Sequence, residues 1–467
     1  MWNPNSKPYK PRPFQEQGIR MAITQACAGM MLAPGAGKTT IAYAAFKILK
    51  DHKFVNKMLV ICPLKPMYNV WMRQHLTWNE FKDLKVCVLH GKDKEEKLKD
   101  DSYDIYVVNP EGLDWLFGPV VKHKPSAARL KYVKDKFQML WVDESHKFKD
   151  TQTNRFKLMR EIVPAFKRRY LGTGTFNPTG LEDLFGQVYI LDEGATLGRF
   201  ITHYRGKYFH QKPYDKYGYY PNVGAFEEIA EKLAPFCLVV QRHEIEGLPA
   251  VVFDDRWVDL PPAARAAYNQ AEDDMLVQLE AGAIVAANAA VASGKCRQIA
   301  NGFVYDANKV ATRLHDEKME DLISLVEELN GEPLIIAYEF EDDRDRILEH
   351  FKCPCISTGN AKRDDERIEE FRRGRHKIVA GSVASISLGI DGLQDVCGHI
   401  YMYGITWKLV DYIQVIDRIR RSGSSHGTVF IHRCVARDTV DERVIQRLAE
   451  REEEMVDFME LLQSLRK

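Results

Sequence analysis

The sequence predicts an α/β protein with two parallel sheets, each flanked by helices. Short apolar runs recur between amphipathic stretches, and they fall into two groups along the chain. Fully apolar runs of this length are typical of strands that are buried on both faces of a parallel sheet. The chain has 467 residues, of which 45% are hydrophobic, and this is enough apolar material for at least two cores.

The predicted strands form an N-terminal group and a C-terminal group. They are 30–33, 58–62, 86–89, 105–108 and 139–142, followed by 334–337, 378–380 and 400–403. We therefore predict an N-terminal lobe over 1–240 and a C-terminal lobe over 241–467. The C-terminal lobe is expected to include a helical insertion at about 260–300, because alanine is frequent there and has the highest helix propensity. Apolar residues at helical spacing in 439–465 predict a C-terminal helix.

Charge and cysteine content exclude several classes of protein. Lys plus Arg and Asp plus Glu both number 66, so no global positive field attracts the chain to nucleic acid or to an acidic membrane. Any nucleic-acid contact must therefore use local basic patches. The nine cysteines show no zinc-binding spacing, and reduced thiols are expected. Neither a signal-peptide core nor a run of ~18 apolar residues occurs, which predicts a cytoplasm-like compartment and no membrane partner.

A phosphate-binding loop is predicted where the first apolar run meets a helix. The segment 31–40 reads MLAPGAGKTT, and its glycines let successive backbone N–H groups face a phosphate. Lys38 would add a positive charge at the outer phosphates, and the Thr39 hydroxyl would bind Mg²⁺. The alternative is a glycine turn before an ordinary helix. The predicted nucleotide-binding residues of this loop are Gly35, Ala36, Gly37, Lys38, Thr39 and Thr40.

Two adjacent acids, Asp143 and Glu144, follow the apolar run 139–142. A strand that ends in acids places them at the carboxyl edge of a parallel sheet, where nucleotides bind in open α/β folds. Asp143 is predicted to hold Mg²⁺, and Glu144 to orient and deprotonate the attacking water. By themselves the two acids are equally compatible with a solvated acidic turn. Their pairing with the phosphate-binding loop favours an ATP-hydrolysing site.

A third component of this site is predicted nearer the C-terminus. Arg418 and Arg421 are three residues apart, so on a helix they share one face. Two guanidinium groups on one face can stabilise the charge of a transferring γ-phosphate. We therefore predict catalytic roles for both arginines, together with Lys38 and Glu144. The alternative is an arginine-rich surface helix.

In their order and residue composition these motifs resemble those of the Swi/Snf-like family of superfamily-two helicases, especially its compact phage-type members. The resemblance covers nearly the whole chain. It includes Gln15 in PRPFQEQGIR and the segment 59–78, which is similar to the family's first nucleic-acid motif. It also includes 172–184, which resembles the motif that couples ATP state to lobe movement, and 382–394 in the second lobe.

The resemblance implies two RecA-like lobes, use of ATP and Mg²⁺, and a hydrolytic site that is complete only when the lobes close. It implies that Gln15 reads adenine and that Gly389 and Asp391 lie beside the nucleotide. Each of the implied nucleic-acid contacts is equally compatible with a loop or packing role. These contacts are Lys65, Asn109, Thr358, Ser385 and Trp407.

Four positions depart from the family pattern, and none of them removes a catalytic group. Ser145 stands where Ala is usual, and Phe176 stands where Pro is usual. Asp391 replaces the usual Asn, and Ser424 replaces a frequent Gln. No chromatin-reading or zinc module accompanies the motifs, so a nucleosome substrate is not expected.

We predict an ATP-dependent DNA translocase or helicase that moves along or remodels duplex or forked DNA with little sequence preference. A monomer in a bacterial or phage-infected host cytoplasm is expected. One alternative is an RNA helicase, which the Swi/Snf-like first motif argues against. The other is a nucleotide-gated DNA-binding module without processive movement. Damaged catalytic positions would mark that module, whereas the predicted catalytic residues are all present.

An aromatic segment, 207–222, interleaves tyrosines with lysines. Such a pattern can stack on opened bases or press on a fork junction. The favoured alternative is a hairpin whose tyrosines pack on the first lobe.

Overall fold

Two compact units make up the protein. The computed structural model describes residues 6–118, 125–212, 215–280, 285–388 and 392–466. Unit 1 comprises Met1–Ile245 together with Arg451–Lys467, and unit 2 comprises Glu246–Glu450. The C-terminal lobe predicted over 241–467 therefore differs from unit 2 in its last segment, which packs with unit 1.

Unit 1 alternates strands and helices along most of its length. Its strands are β1 (Cys27–Leu32), β2 (Met58–Ile61), β3 (Val86–Val88), β4 (Ile105–Val108), β5 (Met139–Asp143), β6 (Arg168–Thr173), β7 (Phe209–Lys212), β8 (Asp215–Pro221) and β9 (Cys237–Val240). Its helices are α1 (Pro13–Thr24), α2 (Lys38–Asp51), α3 (Leu64–Asn69), α4 (Gln74–Thr77), α5 (Lys94–Lys99), α6 (Leu113–Leu116), α7 (Ala127–Lys136), α8 (Asn154–Ile162), α9 (Glu182–Asp192), α10 (Ile201–Tyr208) and α11 (Ala225–Leu233).

Unit 2 repeats the alternation on a smaller scale. Its strands are β10 (Ala250–Val258), β11 (Phe303–Tyr305), β12 (Ala311–Arg313), β13 (Leu334–Tyr338), β14 (Ile378–Ser382), β15 (His399–Met402) and β16 (Thr428–Ala436). Its helices are α12 (Pro262–Glu280), α13 (Val285–Ala300), α14 (Glu317–Glu328), α15 (Glu341–Phe351), α16 (Ala361–Arg372), α17 (Val383–Ser387) and α18 (Leu409–Ile416). The last helix, α19 (Val440–Ser464), begins in unit 2, and its residues from Arg451 onward belong to unit 1.

Each unit has its own parallel sheet, which confirms the predicted fold class. Within the described residues, the sheet of unit 1 has seven strands in the order β3-β4-β2-β5-β6-β1-β9. The sheet of unit 2, likewise within the described part of the chain, has five strands in the order β10-β16-β15-β13-β14. Every pair of neighbouring strands in both sheets runs parallel. Strands β7 and β8 form a separate antiparallel hairpin, as do β11 and β12.

The eight apolar runs all lie on strands, whereas several strands have no such run. Strands β2, β4 and β5 are fully buried, which explains their uninterrupted apolar sequence. The edge strand β10 has exposed and half-buried positions along most of its length, and its polar residues hide the pattern. The alanine-rich stretch forms α12 and α13, and 281–284 lies outside the described residues.

The end of α19 completes a core cluster of unit 1. Phe458, Met459 and Leu462 are buried there together with apolar residues of α9, α10 and α11. The ring of Phe458 lies edge-to-face against Phe226 of α11, with 5.1 Å between the ring centroids. Burial of such side chains contributes about 1.5–3 kcal/mol each. The end of α19 is therefore part of the unit 1 core.

The aromatic hairpin packs on unit 1 where its side chains are described. Tyr208 is buried, and Tyr219 packs against the same core cluster with the Arg205 guanidinium 4.2 Å from its ring centroid. Tyr220 lies beneath the Lys212 ammonium, at 3.9 Å. These contacts agree with the packing alternative for Tyr208 and Tyr219. The side chains of 213–217, at the tip, lie outside the described residues.

Among the described helices, none combines the length and the apolar character that a membrane crossing requires.

Candidate nucleotide-binding site

The phosphate-binding loop joins the end of β1 to the start of α2 in unit 1. Gly35 and Gly37 both have left-handed backbones, with φ of 81° and 83°. A Cβ on Gly37 would collide with the Gln15 amide and lie 2.8 Å from Thr40 Oγ1. Only glycine fits both the backbone and the space at position 37. The tight turn leaves the first N–H groups of α2 facing the loop, as a phosphate requires.

Gln15 lies directly against this loop. Its Nε2 donates a hydrogen bond to Ala36 O at 2.8 Å, and its Oε1 accepts one from the Arg12 backbone N–H at 2.9 Å. Gln15 is buried, and α1 therefore anchors the loop through a side chain. The structure thus brings Gln15 together with the predicted phosphate-binding residues.

The polar side chains of the loop are held by backbone carbonyls. The Lys38 ammonium donates to Leu32 O at 2.9 Å, which keeps the charge over the loop. The Thr40 hydroxyl donates to Gly37 O at 2.6 Å. Thr39 is buried at the start of α2. The Lys38 ammonium thus places one positive charge at the loop, which favours the binding of an anion.

Strand order brings the acids to the same edge of the sheet as the loop. Strand β6 lies between β1 and β5, and Gly172 of β6 is opposite both Met30 and Asp143. A Cβ on Gly172 would lie 3.5 Å from Asp143 Oδ1 and 3.5 Å from Lys38 Cδ. The missing side chain therefore leaves space between the Lys38 stem and the carboxylate. Sequence reasoning assigned Gly172 only to a coupling motif, since nothing local signals this role.

Asp143 is a buried carboxyl whose neighbours shift its pKa in opposite directions. Burial raises its pKa to about 6, and the charge of Glu144 adds to the effect. Lys38 and a hydrogen bond from Trp71 Nε1, 3.0 Å from Asp143 Oδ2, act in the opposite direction. Carboxylate oxygens are ligands that a hard cation prefers, and Asp143 offers them at the end of β5. The Asp143 carboxylate therefore fits Mg²⁺, although no cluster of three metal-ligating His, Cys, Asp or Glu side chains occurs within the described ranges.

Glu144 occupies an unusual backbone position immediately after β5. Its φ of 53° and ψ of 54° are left-handed. A non-glycine residue in this region costs about 1–2 kcal/mol, so the surrounding contacts must hold it there. The Nδ1 of His146 lies 3.2 Å from Glu144 Oε2. The turn therefore places the Glu144 carboxylate beside a histidine.

The predicted helical face for the two arginines of unit 2 is wrong. Helix α18 ends at Ile416, and residues 417–420 form turns with tight backbone hydrogen bonds. Ile419 is buried within these turns, and the SGSS segment at 422–425 has low helix propensity, so no helix resumes there. The Arg418 guanidinium donates to Ser387 O, and Arg421 Nε donates to Asp417 O at 3.1 Å.

The candidate nucleic-acid contacts lie after strands of their own unit's sheet. In unit 1, Lys65 lies on α3, after β2, and Asn109 follows β4, where its amide donates to Glu111 at 2.8 Å. In unit 2, Ser385 lies on α17, after β14, and the half-buried Trp407 follows β15.

Unit 2 also contains the remaining predicted nucleic-acid contact, Thr358, and the two residues predicted to lie beside the nucleotide. The Thr358 hydroxyl donates to Asp364 Oδ1 at 2.6 Å. Gly389 and Asp391 lie outside the described residues.

Comparisons with known proteins divide the chain as its motifs do. Residues 8–178 match the family of the type III restriction enzyme res subunit, and residues 317–423 match the helicase conserved C-terminal domain. A putative protein p41 from Acyrthosiphon pisum secondary endosymbiont phage 1 is 28% identical, covering 94% of this chain and 96% of the relative.

More distant similarities extend to longer proteins and to solved structures. An uncharacterized ATP-dependent helicase of Mycoplasma genitalium is 22% identical over 93% of this chain, which spans only 41% of that relative. The Sulfolobus solfataricus SWI2/SNF2 ATPase core in complex with dsDNA has a TM-score of 0.44 and 21% identity, with 99% of this chain and 95% of that chain covered.

A helicase-type N-terminal module precedes a helicase C-terminal module, and each has its own parallel sheet. With the phosphate-binding loop and the acid pair, this defines the class: an ATP-hydrolysing enzyme of the helicase type. The N-terminal match at 8–178 precedes the helicase C-terminal match at 317–423, which is the order that the resemblance to superfamily-two helicases implies.

Proposed function

We propose that the protein uses ATP hydrolysis to move along or remodel DNA, either duplex or forked, with little sequence preference. The observation that carries this proposal is the hydrogen bond from Trp71 to Asp143. Trp71 follows α3, the helix that carries Lys65, and both belong to the segment that resembles the first nucleic-acid motif. The bond is a physical connection between the proposed track-binding segment and the proposed Mg²⁺ ligand.

The ATP chemistry is assigned to residues of unit 1. Lys38 and the N–H groups of 35–40 would hold the phosphates, while Gln15 would read adenine. Thr39 and Asp143 would hold Mg²⁺, which supplies charge neutralisation at the outer phosphates. Glu144 would orient the attacking water and accept its proton.

Unit 2 is proposed to supply the remaining groups. Arg418 and Arg421 would stabilise the negative charge that spreads over the transferring phosphoryl group. Gly389 and Asp391 would lie beside the nucleotide. Because these groups and Lys38 would act on the same ATP, hydrolysis would depend on closure of the lobes.

The track is proposed to contact both units through its backbone. Lys65 and Asn109 would contribute from unit 1, and Thr358, Ser385 and Trp407 from unit 2. Contacts to phosphates fix position without reading bases, which is why little sequence preference is expected.

The first experiment compares ATP hydrolysis without nucleic acid and with duplex DNA, single-stranded DNA, forked DNA or RNA. Glu144→Gln is the control, because it retains the shape of the side chain and removes the base. Strong stimulation by a DNA ligand, lost in the variant, would support the motor and identify its track. Strong stimulation by RNA alone would favour an RNA helicase. Equal and feeble hydrolysis under all five conditions would instead favour a nucleotide-gated binding module.

A further inference from the structure

A buried glutamine outside the quoted motifs connects two turns of the nucleotide site. Gln187 on α9 has no exposed surface, and neither has Ser145. The Ser145 hydroxyl donates to Gln187 Oε1 at 2.7 Å. The Gln187 Nε2 donates to Phe176 O at 2.5 Å and to Asp183 O at 2.9 Å. The side-chain amide is therefore fully engaged, as burial of a polar group requires.

Close packing of α9 explains why Gln187 reaches Ser145. The preceding residue, Gly186, lies against the turn that follows Glu144. A Cβ on Gly186 would collide with Phe148 O and lie 2.8 Å from Lys149 O. Glycine therefore lets the helix backbone approach this turn, and the next side chain along α9 falls within hydrogen-bonding distance of Ser145.

One end of this connection is the proposed catalytic base. Ser145 is bonded directly to Glu144, whose left-handed backbone needs support from its surroundings. The bond to Gln187 fixes the residue immediately after the strained position. Gln187 thereby limits the directions in which the Glu144 carboxylate can point.

The other end is the turn after β6. Thr175 N donates to Thr173 Oγ1 at 3.1 Å, and Thr173 Oγ1 donates to Thr175 O at 3.0 Å. Phe176, the carbonyl partner of Gln187, follows directly. Gln187 thus touches both the turn after β5 and the turn after β6.

We propose that Gln187 is a positioning residue that sets the geometry of Glu144 and couples it to the turn 173–176. The inference rests on the proposed function, since it assigns Glu144 as the base that activates water. A displacement of Glu144 caused by nucleotide binding or release would move Ser145, and the amide would pass this movement to Phe176. Ser145 stands where the resembled family usually has Ala, so the hydroxyl is not needed simply to fill this space.

The test uses the wild type, Ser145→Ala, Gln187→Leu and the double variant. Gln187→Leu alone leaves the buried Ser145 hydroxyl without this partner and is expected to lower the melting temperature. The double variant replaces the polar pair by an apolar one and is expected to recover part of the lost melting temperature, because Ser145 no longer leaves a buried hydroxyl unpaired whereas Phe176 O still lacks its donor. The kcat and KM for ATP are measured with and without saturating duplex DNA, alongside thermal unfolding.

We expect kcat to fall about tenfold in each of the three variants, with KM unchanged within about twofold, because a displaced base affects the chemical step more than binding. The two single effects should not multiply in the double variant, because both remove the same bond. A double variant with both wild-type kcat and wild-type melting temperature would overturn the proposal and assign the pair to packing. A wild type that no nucleic acid stimulates would contradict the proposed motor, whereas the DNA-free kcat values would still decide the role of Gln187.

Discussion

The indole Nε1 of Trp71 donates a hydrogen bond to Asp143 Oδ2 over 3.0 Å, across 72 residues of sequence. Trp71 is fully buried, and its backbone carbonyl accepts a hydrogen bond from the Tyr43 hydroxyl on α2. The helix that starts at the phosphate-binding loop, the proposed track segment and the proposed Mg²⁺ ligand are therefore connected through one residue.

Replacing Trp71 by Phe removes the donor and retains most of the aromatic volume. A hydrogen bond to a charged group contributes about 1.5–3 kcal/mol, so the ionised form of Asp143 should become less stable. We expect the Mg²⁺ concentration for half-maximal ATP hydrolysis to rise about tenfold. Trp78→Phe is the matched control, because Trp78 Nε1 donates to Gln74 instead, at 3.0 Å. An equal effect of both substitutions would contradict a specific role for Trp71.

Gly37→Ala is expected to reduce nucleotide affinity far more than Gly35→Ala. Both glycines have left-handed backbones, and alanine there costs about 1–2 kcal/mol. Only at Gly37 would the new Cβ also collide with Gln15, since nothing lies within 4 Å of the corresponding position at Gly35. Titration of a fluorescent ATP analogue measures the difference. Equal losses of affinity would mean that crowding against Gln15 has no effect.

Lys318→Met is expected to destabilise unit 2 by about 3–5 kcal/mol, because it leaves a buried charge uncompensated. The Lys318 ammonium lies 2.6 Å from Asp441 Oδ2, and its side chain is 0% exposed while that of Asp441 is 3% exposed. Denaturant unfolding measures the loss. Lys362→Met is the control, because its pair with Glu366 is exposed and 4.0 Å long. If both substitutions had similar effects, the buried pair would not be a net contributor.

Stability should fall as the pH drops below about 6.5. Burial and then His432 lower the pKa of His399. As the pH falls, the unfolded chain therefore takes up a proton at this histidine before the folded protein does. The folded protein keeps its full stability above the ordinary histidine pKa, and it loses part of that stability as the pH falls through the lowered pKa of His399. The His432 Nε2 lies 3.0 Å from His399 Nδ1, and its Nδ1 lies 2.7 Å from Asp254.

Thermal unfolding between about pH 5 and 8 measures this dependence, over the range in which histidine titrates. His399→Gln should make the melting temperature less dependent on pH than in the wild type. His203→Gln, on the exposed surface of α10, serves as the control. An unchanged pH dependence in His399→Gln would assign the acid sensitivity to other groups.

Local sequence patterns were sufficient for the fold class, and they predicted a phosphate-binding loop where the structure has a glycine turn between β1 and α2. Buried parallel strands such as β4 have apolar residues on both faces, so they are visible as uninterrupted runs. The glycines and Lys38 were visible as a motif because they belong to one short turn and are close in sequence. The sequence also predicted Arg418 and Arg421 as a pair, although the helical face assigned to them was wrong.

The tertiary structure decided which distant residues complete the site. Gly172 leaves space for Lys38 and Asp143 only because β6 lies between β1 and β5. Trp71 reaches the last residue of β5 across 72 residues of sequence, and Gln187 reaches the turn after β5 across 42 residues. The packing of 451–467 in unit 1 likewise depends on an apolar cluster built from several helices. Hydrophobic periodicity and helix propensity are local properties, whereas hydrogen-bond partners and open space depend on strand order and on how closely helices pack.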